Sequence, residues 1–170
     1  MMVIRIAKKG PAALMVALLA AFSITSGAHA AGEPRSSNAE TWQSDPVISQ
    51  LETYTSRKDW QGAAAFMKTA VERNPRSADY NNLYAYVMRK GPNPDMDLVF
   101  KHYNEALRID PNHRGAHEYI GEAYLMVKDL AKAKEHLTAL DRLCTFGCEE
   151  FSDLKKAVAQ YESANRTANK

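Results

Sequence analysis

The sequence predicts an all-α protein: an α-solenoid of about three helix–turn–helix units closed by one further helix. Two observations carry this expectation, a run of small and aromatic residues at helical spacing over residues 106–144 and an earlier copy of the same run displaced by 36 residues. In the later copy, Asp110-Pro111 stops one helix, Gly121 and Tyr124 lie one turn apart on the next, and Ala133 and Leu137 follow a break at Lys128-Asp129. Gly121 leaves room for a close helix approach, Tyr124 fills the space beside it, and Ala133 gives the partner helix a small surface to receive the contact.

Aligning Pro75 with Pro111 places Ala70 over Ala106, Met67 over Tyr103, Ala63 over Val99, and AVERNP over ALRIDP. The same register sets Ala85 over Gly121 and Met88 over Tyr124, so the first helix of the middle unit is expected from about Asp79 to Lys90. The two residues beyond a 34-residue period belong to Gly91-Pro92-Asn93-Pro94, where two prolines and a glycine forbid a continuous helix. Farther back, Ala63 follows Leu51 by twelve residues and Tyr54 by nine, the interval from Gly121 and Tyr124 to Ala133, which makes the first unit the least regular. The units are expected at 44–77, 78–113 and 114–147. A capping helix over 148–164 should follow, since Phe151, Leu154, Ala157, Val158 and Tyr161 form one stripe that covers the apolar face a repeat stack leaves open. Residues 165–170 are expected to be a disordered tail.

This pattern resembles the tetratricopeptide repeat (TPR), whose unit of about 34 residues carries small residues on both helices, aromatics between them and a proline after the second. The resemblance implies a scaffold for binding, without catalysis, in which the first helix of each unit lines a concave face that receives a peptide or protein segment. Projected onto this chain, it places Glu52 on that face in the first unit, Asn82, Tyr86 and Arg89 in the second, and Glu118, Glu122 and Leu125 in the third. The expected surface is a mixed polar groove with one aromatic platform. Glu52 and Glu118 have the wrong sign for the basic clamp with which some family members hold a terminal carboxylate.

The N-terminus carries a separate signal. Arg5, Lys8 and Lys9 precede an apolar run from Ala12 to Phe22, and Ala28-His29-Ala30 closes the segment with small residues flanking a cleavage site. Residues 1–30 therefore read as a secretory signal peptide cut before Ala31, with an uncleaved anchor as the alternative; the run is shorter than the about 20 apolar residues of a membrane span. Removing it takes three of the 22 Lys and Arg, leaving 19 against 20 Asp and Glu, so charge gives no case for a nucleic-acid partner. No second apolar segment approaches a membrane span, so no membrane insertion is expected after cleavage. Residues 31–43 read as a small, polar, flexible leader, with Trp42 placed to dock on the first repeat. The expected setting is the periplasm, and the expected partner a protein or peptide of the cell envelope.

Cys144 and Cys148 are the two cysteines of the chain, four apart in CTFGC between the last repeat helix and the cap. In an oxidising compartment they are most simply a disulfide. The rival is a thiol or soft-metal site holding copper, which would make the protein a periplasmic metal-handling factor. The C-x-x-x-C spacing differs from the redox C-x-x-C, and no strand–helix pattern surrounds it. His113 and His117 are four apart but lack the H-E-x-x-H order; His113 belongs to the turn after Pro111, and His117 holds a position where the TPR family often has a large packing residue. His102 and His136 read as solvated or partly buried helix residues. Tyr80, Tyr84, Tyr86, Tyr103, Tyr119 and Tyr124 should be mostly core. Asp95 and Asp97 suit a helix cap, and no nucleophile elbow, phosphate loop or paired-carboxylate signature suggests an enzyme or a cofactor.

Overall fold

The computed structural model describes residues 45–168. The signal peptide expected at 1–30, the leader at 31–43 with Trp42, and residues 169–170 lie outside the described residues. Seven helices and no strand are present among the described residues: α1 (Pro46–Thr55), α2 (Trp60–Arg73), α3 (Ala78–Lys90), α4 (Met96–Ile109), α5 (Arg114–Met126), α6 (Leu130–Leu143) and α7 (Glu149–Ala168). Helices α1 to α6 pack chiefly on their neighbours in sequence, α5 also touches α3, and α7 packs on α5 more than on α6. Such nearest-neighbour contact is the pattern of a solenoid.

Short polar side chains start the helices at repeating positions. The second helix of each pair is capped by Asp59, Asp95 or Asp129, whose carboxylates accept from the backbone N–H of Gly62, Leu98 and Lys132. The first helices use Asp45, Ser77 and His113, which accept from Val47, Tyr80 and Ala116. Each cap satisfies one N–H left over by the helix, a contribution of about 1 kcal/mol for an acidic or hydroxyl side chain. Lys58, Asn93 and Lys128, with φ of 56°, 52° and 64°, turn the chain between the helices of each pair. The linker 91–95 is two residues longer than 127–129, so the extra length of the middle unit is absorbed at Gly91–Pro94.

The aligned small positions share one environment. Ala63, Ala85, Val99, Gly121 and Ala133 are all buried, as are Met67 and Tyr103 one turn on and Ala70, Ala106 and Leu140 after them. Around them one apolar cluster runs from Ile48 in α1 to Ala123 in α5, and a second joins α6 and α7 through Ala133, Leu140, Leu154 and Val158. Tyr124 touches both: its ring lies 4.6 Å from Phe100 and 5.6 Å from His136 between centroids.

The structure corrects the sequence reading at two places in the cap. The close approach at Gly121 is made by α7 rather than by α6. A Cβ at Gly121 would lie 2.6 and 2.8 Å from the two methyl carbons of Leu154, itself fully buried. The cap is also longer than expected, running to Ala168, so residues 165–168 continue the helix where a disordered tail was expected. Phe151, Leu154, Ala157, Val158 and Tyr161 form the buried or half-buried side of α7.

Cys144 and Cys148 are joined in a disulfide across the turn into α7, with their Cα atoms 5.5 Å apart. Gly147 takes φ 83° in this turn, and Phe146 stands fully exposed at its tip. Arg114 of α5 reaches the buried Glu150 carboxylate at 3.7 Å, a second tie between the repeats and the start of α7.

Two outcomes test this packing. Gly121→Val should lower stability by roughly 1–3 kcal/mol through overpacking, and adding Leu154→Ala should recover part of that loss in a double-mutant cycle of thermal unfolding; strict additivity would mean that the two residues do not meet. Replacing both cysteines by serine should lower stability by about 2 kcal/mol, the entropy of closing so short a loop, and mass spectrometry of the alkylated, unreduced protein should find no labelled thiol.

Candidate functional site

The residues expected on the binding face fall on two stripes, Asn82, Tyr86 and Arg89 along α3 and Glu118, Glu122 and Leu125 along α5. Helix α3 is buried at every residue from Asn81 to Val87, and it packs on α2, α4 and α5. An open groove with an aromatic platform is therefore not what the structure holds at this level: Asn82, Tyr86, Arg89 and Glu118 are 0, 2, 8 and 1 % exposed. Glu122 and Leu125 are half-buried, and only Glu52, on α1, is exposed. Glu52 is not joined to the other two stripes by any described hydrogen bond or ion pair.

The two stripes interlock. Tyr86 packs edge-on against Trp60 with centroids 6.2 Å apart and meets Tyr119 of α5 at 5.0 Å. Arg89 donates from Nε to the Tyr103 hydroxyl at 3.1 Å and from Nη2 to Glu122 Oε2 at 2.7 Å, with its guanidinium carbon 5.8 Å from both the Tyr86 and Tyr119 ring centres. One guanidinium thus ties α3 to α4 and α5. Burial opposes its charge, but Tyr103 and Glu122 outweigh that and hold its pKa above the ordinary arginine value. Tyr103 is pushed up to about 12, chiefly by burial and against the pull of Arg89, so it stays a neutral hydroxyl. Arg89 is better described as a keystone than as a free donor awaiting a ligand.

Adjacent asparagines on α3 differ sharply. Asn81 donates from Nδ2 to the carbonyls of Pro75 and Ser77 at 3.1 and 2.9 Å, and its Oδ1 accepts from His102 Nδ1 at 2.9 Å. Asn82, one residue on and fully buried, has no hydrogen-bond partner for either its amide nitrogen or its amide oxygen. A fully enclosed amide of this kind is the sort of buried polar group that an ordered water commonly satisfies. The pairing of Asn81 with His102, expected only as a solvated or partly buried helix residue, depends on a contact between α3 and α4 that no local spacing announces.

The histidines separate in the same way. His113 is the fully buried cap of α5: its Nδ1 accepts from Ala116 N–H at 3.2 Å, leaving Nε2–H to donate to Asp79 at 3.1 Å. It does not join His117. His117 instead meets His136 across α5 and α6, with Nδ1 to Nδ1 at 2.9 Å, while its Nε2–H donates to the Pro111 carbonyl at 3.0 Å. Cys144, Cys148 and the buried Glu150 bring their ligand atoms within 4.8 Å of one another. With the two sulfurs bonded to each other, they present no thiolate pair for copper.

No family model and no curated protein matches the sequence. Solved structures do match its fold. SycD, a type III secretion translocator chaperone of Yersinia enterocolitica, aligns with TM-score 0.60 at 12% identity, over 78% of this chain and 89% of that one. The yeast Sti1 TPR2B domain, solved in a complex with pHsp70, aligns with TM-score 0.59 at 22% identity, over 67% of this chain and 94% of that one. The fold is TPR-like. PcrH, solved with the chaperone-binding region of PopD, gives TM-score 0.58 at 13% identity over 77% and 96% of the two chains. At such identities the likeness extends to the TPR-like helical repeat and not to the partners of those proteins.

The histidine pair makes the fold sensitive to acid. Burial, aided by His113 and opposed by the Pro111 carbonyl, pushes His117 down from 6.5, and burial followed by the charge of His117 pushes His136 down to about 4. The folded chain therefore binds fewer protons here than the unfolded one, so the stability this pair contributes is complete above about pH 6.5 and is lost as the pH falls toward about 4. Thermal midpoints measured across that window should fall with acidity, and His136→Gln should flatten the fall; an unchanged slope would show that other groups carry it.

Proposed function

We propose that this chain is an exported, non-enzymatic adaptor of the cell envelope that binds a peptide or protein segment along the face built from α1, α3 and α5. The observation that carries the reading is the TPR-like helical repeat, together with the accessible residues on this face, the exposed Glu52 and the half-buried Glu122 and Leu125. Arg89, Glu122, Tyr86 and Tyr119 hold the surrounding wall in one arrangement before any ligand arrives, which limits the ordering cost of binding. Glu122 and Leu125 are the partly open contacts beside it, and Glu52 the exposed one on α1. Two of the TPR-like structures it resembles were solved with partners, Sti1 TPR2B with pHsp70 and PcrH with a region of PopD, which supports the same use of the fold here.

Glu52→Lys separates binding from folding, because Glu52 is exposed and its replacement should leave the thermal midpoint unchanged. Once a partner is captured from envelope extract with the exported protein, this change should weaken its binding at least about tenfold, or roughly 1.4 kcal/mol, whereas Lys156→Ala on the outer side of α7 should leave binding unchanged. Equal effects of the two changes, or none from Glu52→Lys, would sink the assignment of this face.

The export half of the reading rests on residues 1–30, with Arg5, Lys8 and Lys9 ahead of the apolar run and Ala28-His29-Ala30 at its end. Intact-mass measurement of protein from the periplasmic fraction should give a chain beginning at Ala31. Protein that keeps residues 1–30 and sediments with membranes would replace the soluble adaptor by an anchored one.

A further inference from the structure

The contact between His117 and His136 has the makings of a metal site that is separate from both the cysteine pair and the binding face. His117 stands on α5 and His136 on α6, the two helices of the third unit, and both rings are half-buried and so open to solvent on one side. Their Nδ1 atoms lie 2.9 Å apart, with ring centroids 5.2 Å apart and planes inclined at 47°. His117 is already fixed as a ligand would be: its Nε2–H is spent on the Pro111 carbonyl at 3.0 Å, which leaves Nδ1 as a lone pair. A carbonyl behind the far ring nitrogen is the usual outer support of a metal-bound histidine, setting both tautomer and orientation. His136 is held from its other side by the ring of Tyr124, stacked at 15° with centroids 5.6 Å apart.

We propose that His117 and His136 form a copper(II) site that clips α5 to α6. The two nitrogens stand 2.9 Å apart, a hydrogen-bond length in the metal-free protein and close enough for one ion to take both in cis positions. Two ligands about 2.0 Å from a metal lie about 2.8 Å apart at a right angle. Such cis positions belong to the square or tetragonal sites that copper(II) adopts with nitrogen and oxygen donors. Copper(II) also stands at the top of the affinity order for divalent first-row metals, above nickel and zinc. Water completes the coordination from the open side.

The protonation states balance. In the metal-free protein the single proton between the rings belongs to His136 Nδ1, because His117 keeps its own on Nε2. Coordination moves that proton to Nε2 of His136, frees both Nδ1 lone pairs and releases no net proton where both rings are neutral. Burial favours that neutrality by lowering the pKa of both groups. The charged side chains around the pair are Asp110 near His117 and Glu135 and Lys132 on α6, with His113 also facing His117. With Cys144 and Cys148 joined, neither offers a thiol to compete for the metal.

The test is a copper(II) chloride titration of the exported protein, purified without a polyhistidine tag and followed by electron paramagnetic resonance and by thermal unfolding. One equivalent should give an axial signal with coupling to two imidazole nitrogens, and it should raise the midpoint, since the metal binds the folded state alone. His117→Gln and His136→Gln should each weaken binding at least tenfold and leave coupling to a single imidazole, whereas His102→Gln should change neither. Circular dichroism at neutral pH confirms that each variant is folded. The proposal is overturned if the parent binds no more copper than the double variant His117→Gln/His136→Gln, if either single variant keeps the two-nitrogen signal, or if zinc binds as tightly as copper.

Discussion

Everything in this molecule rests on the close approach of helices at a handful of positions where no larger side chain fits. Ala63, Ala85, Val99, Gly121 and Ala133 are fully enclosed, each on a helix face that another helix covers. Close crossings let a short chain bury Tyr86, Tyr103 and Tyr119 almost completely, and those three rings supply much of the apolar area in the middle of the stack. Gly121 shows how far the requirement goes, since even a methyl group there would overlap Leu154. The cap consequently has one seating, and the disulfide from Cys144 to Cys148 and the Arg114–Glu150 contact hold α7 in it.

The same tight packing explains why the face expected to bind is so polar and yet so enclosed. Bringing α3 near α5 places Arg89 beside Glu122 and under two tyrosine rings, where an unpaired charge would be costly and a paired one fixes the geometry. Tyr103 adds the hydroxyl that occupies the Arg89 Nε–H. Asn81 on the same helix is satisfied as fully, by the Pro75 and Ser77 carbonyls and by His102.

Much of the architecture was legible because repeats write their packing into spacing. The alignment of AVERNP with ALRIDP gave the helix ends, and the prolines and glycine of 91–94 gave the place of the two extra residues. The caps Asp59, Asp95 and Asp129 recur at nearly the same interval, a signal available in the sequence but used only at Asp95 and for the break at Lys128-Asp129. The candidate site was legible only in part. Projection along the repeat named residues that do lie on two adjoining stripes, but it treated Tyr86 and Arg89 as surface. Spacing tells which face of a helix a residue occupies and not how closely the next helix covers that face.

What the sequence by itself determined is therefore whatever is local or periodic: the all-α class, the three helix pairs, the apolar stripe of the cap and the turns between. These follow from backbone preferences and from the 3.6-residue period, which act within one helix or one turn. Only the tertiary structure decided which partner each residue meets. It set Gly121 against Leu154 instead of the neighbouring helix, paired His117 with His136 instead of His113, gave Arg89 to Glu122 and Tyr103, and left Asn82 without a partner. Those pairings join residues 14 to 33 positions apart at Arg89 and 33 at Gly121, and they depend on the angle and distance at which whole helices cross. That crossing is set by the summed packing of many side chains, a quantity no single stretch of sequence contains.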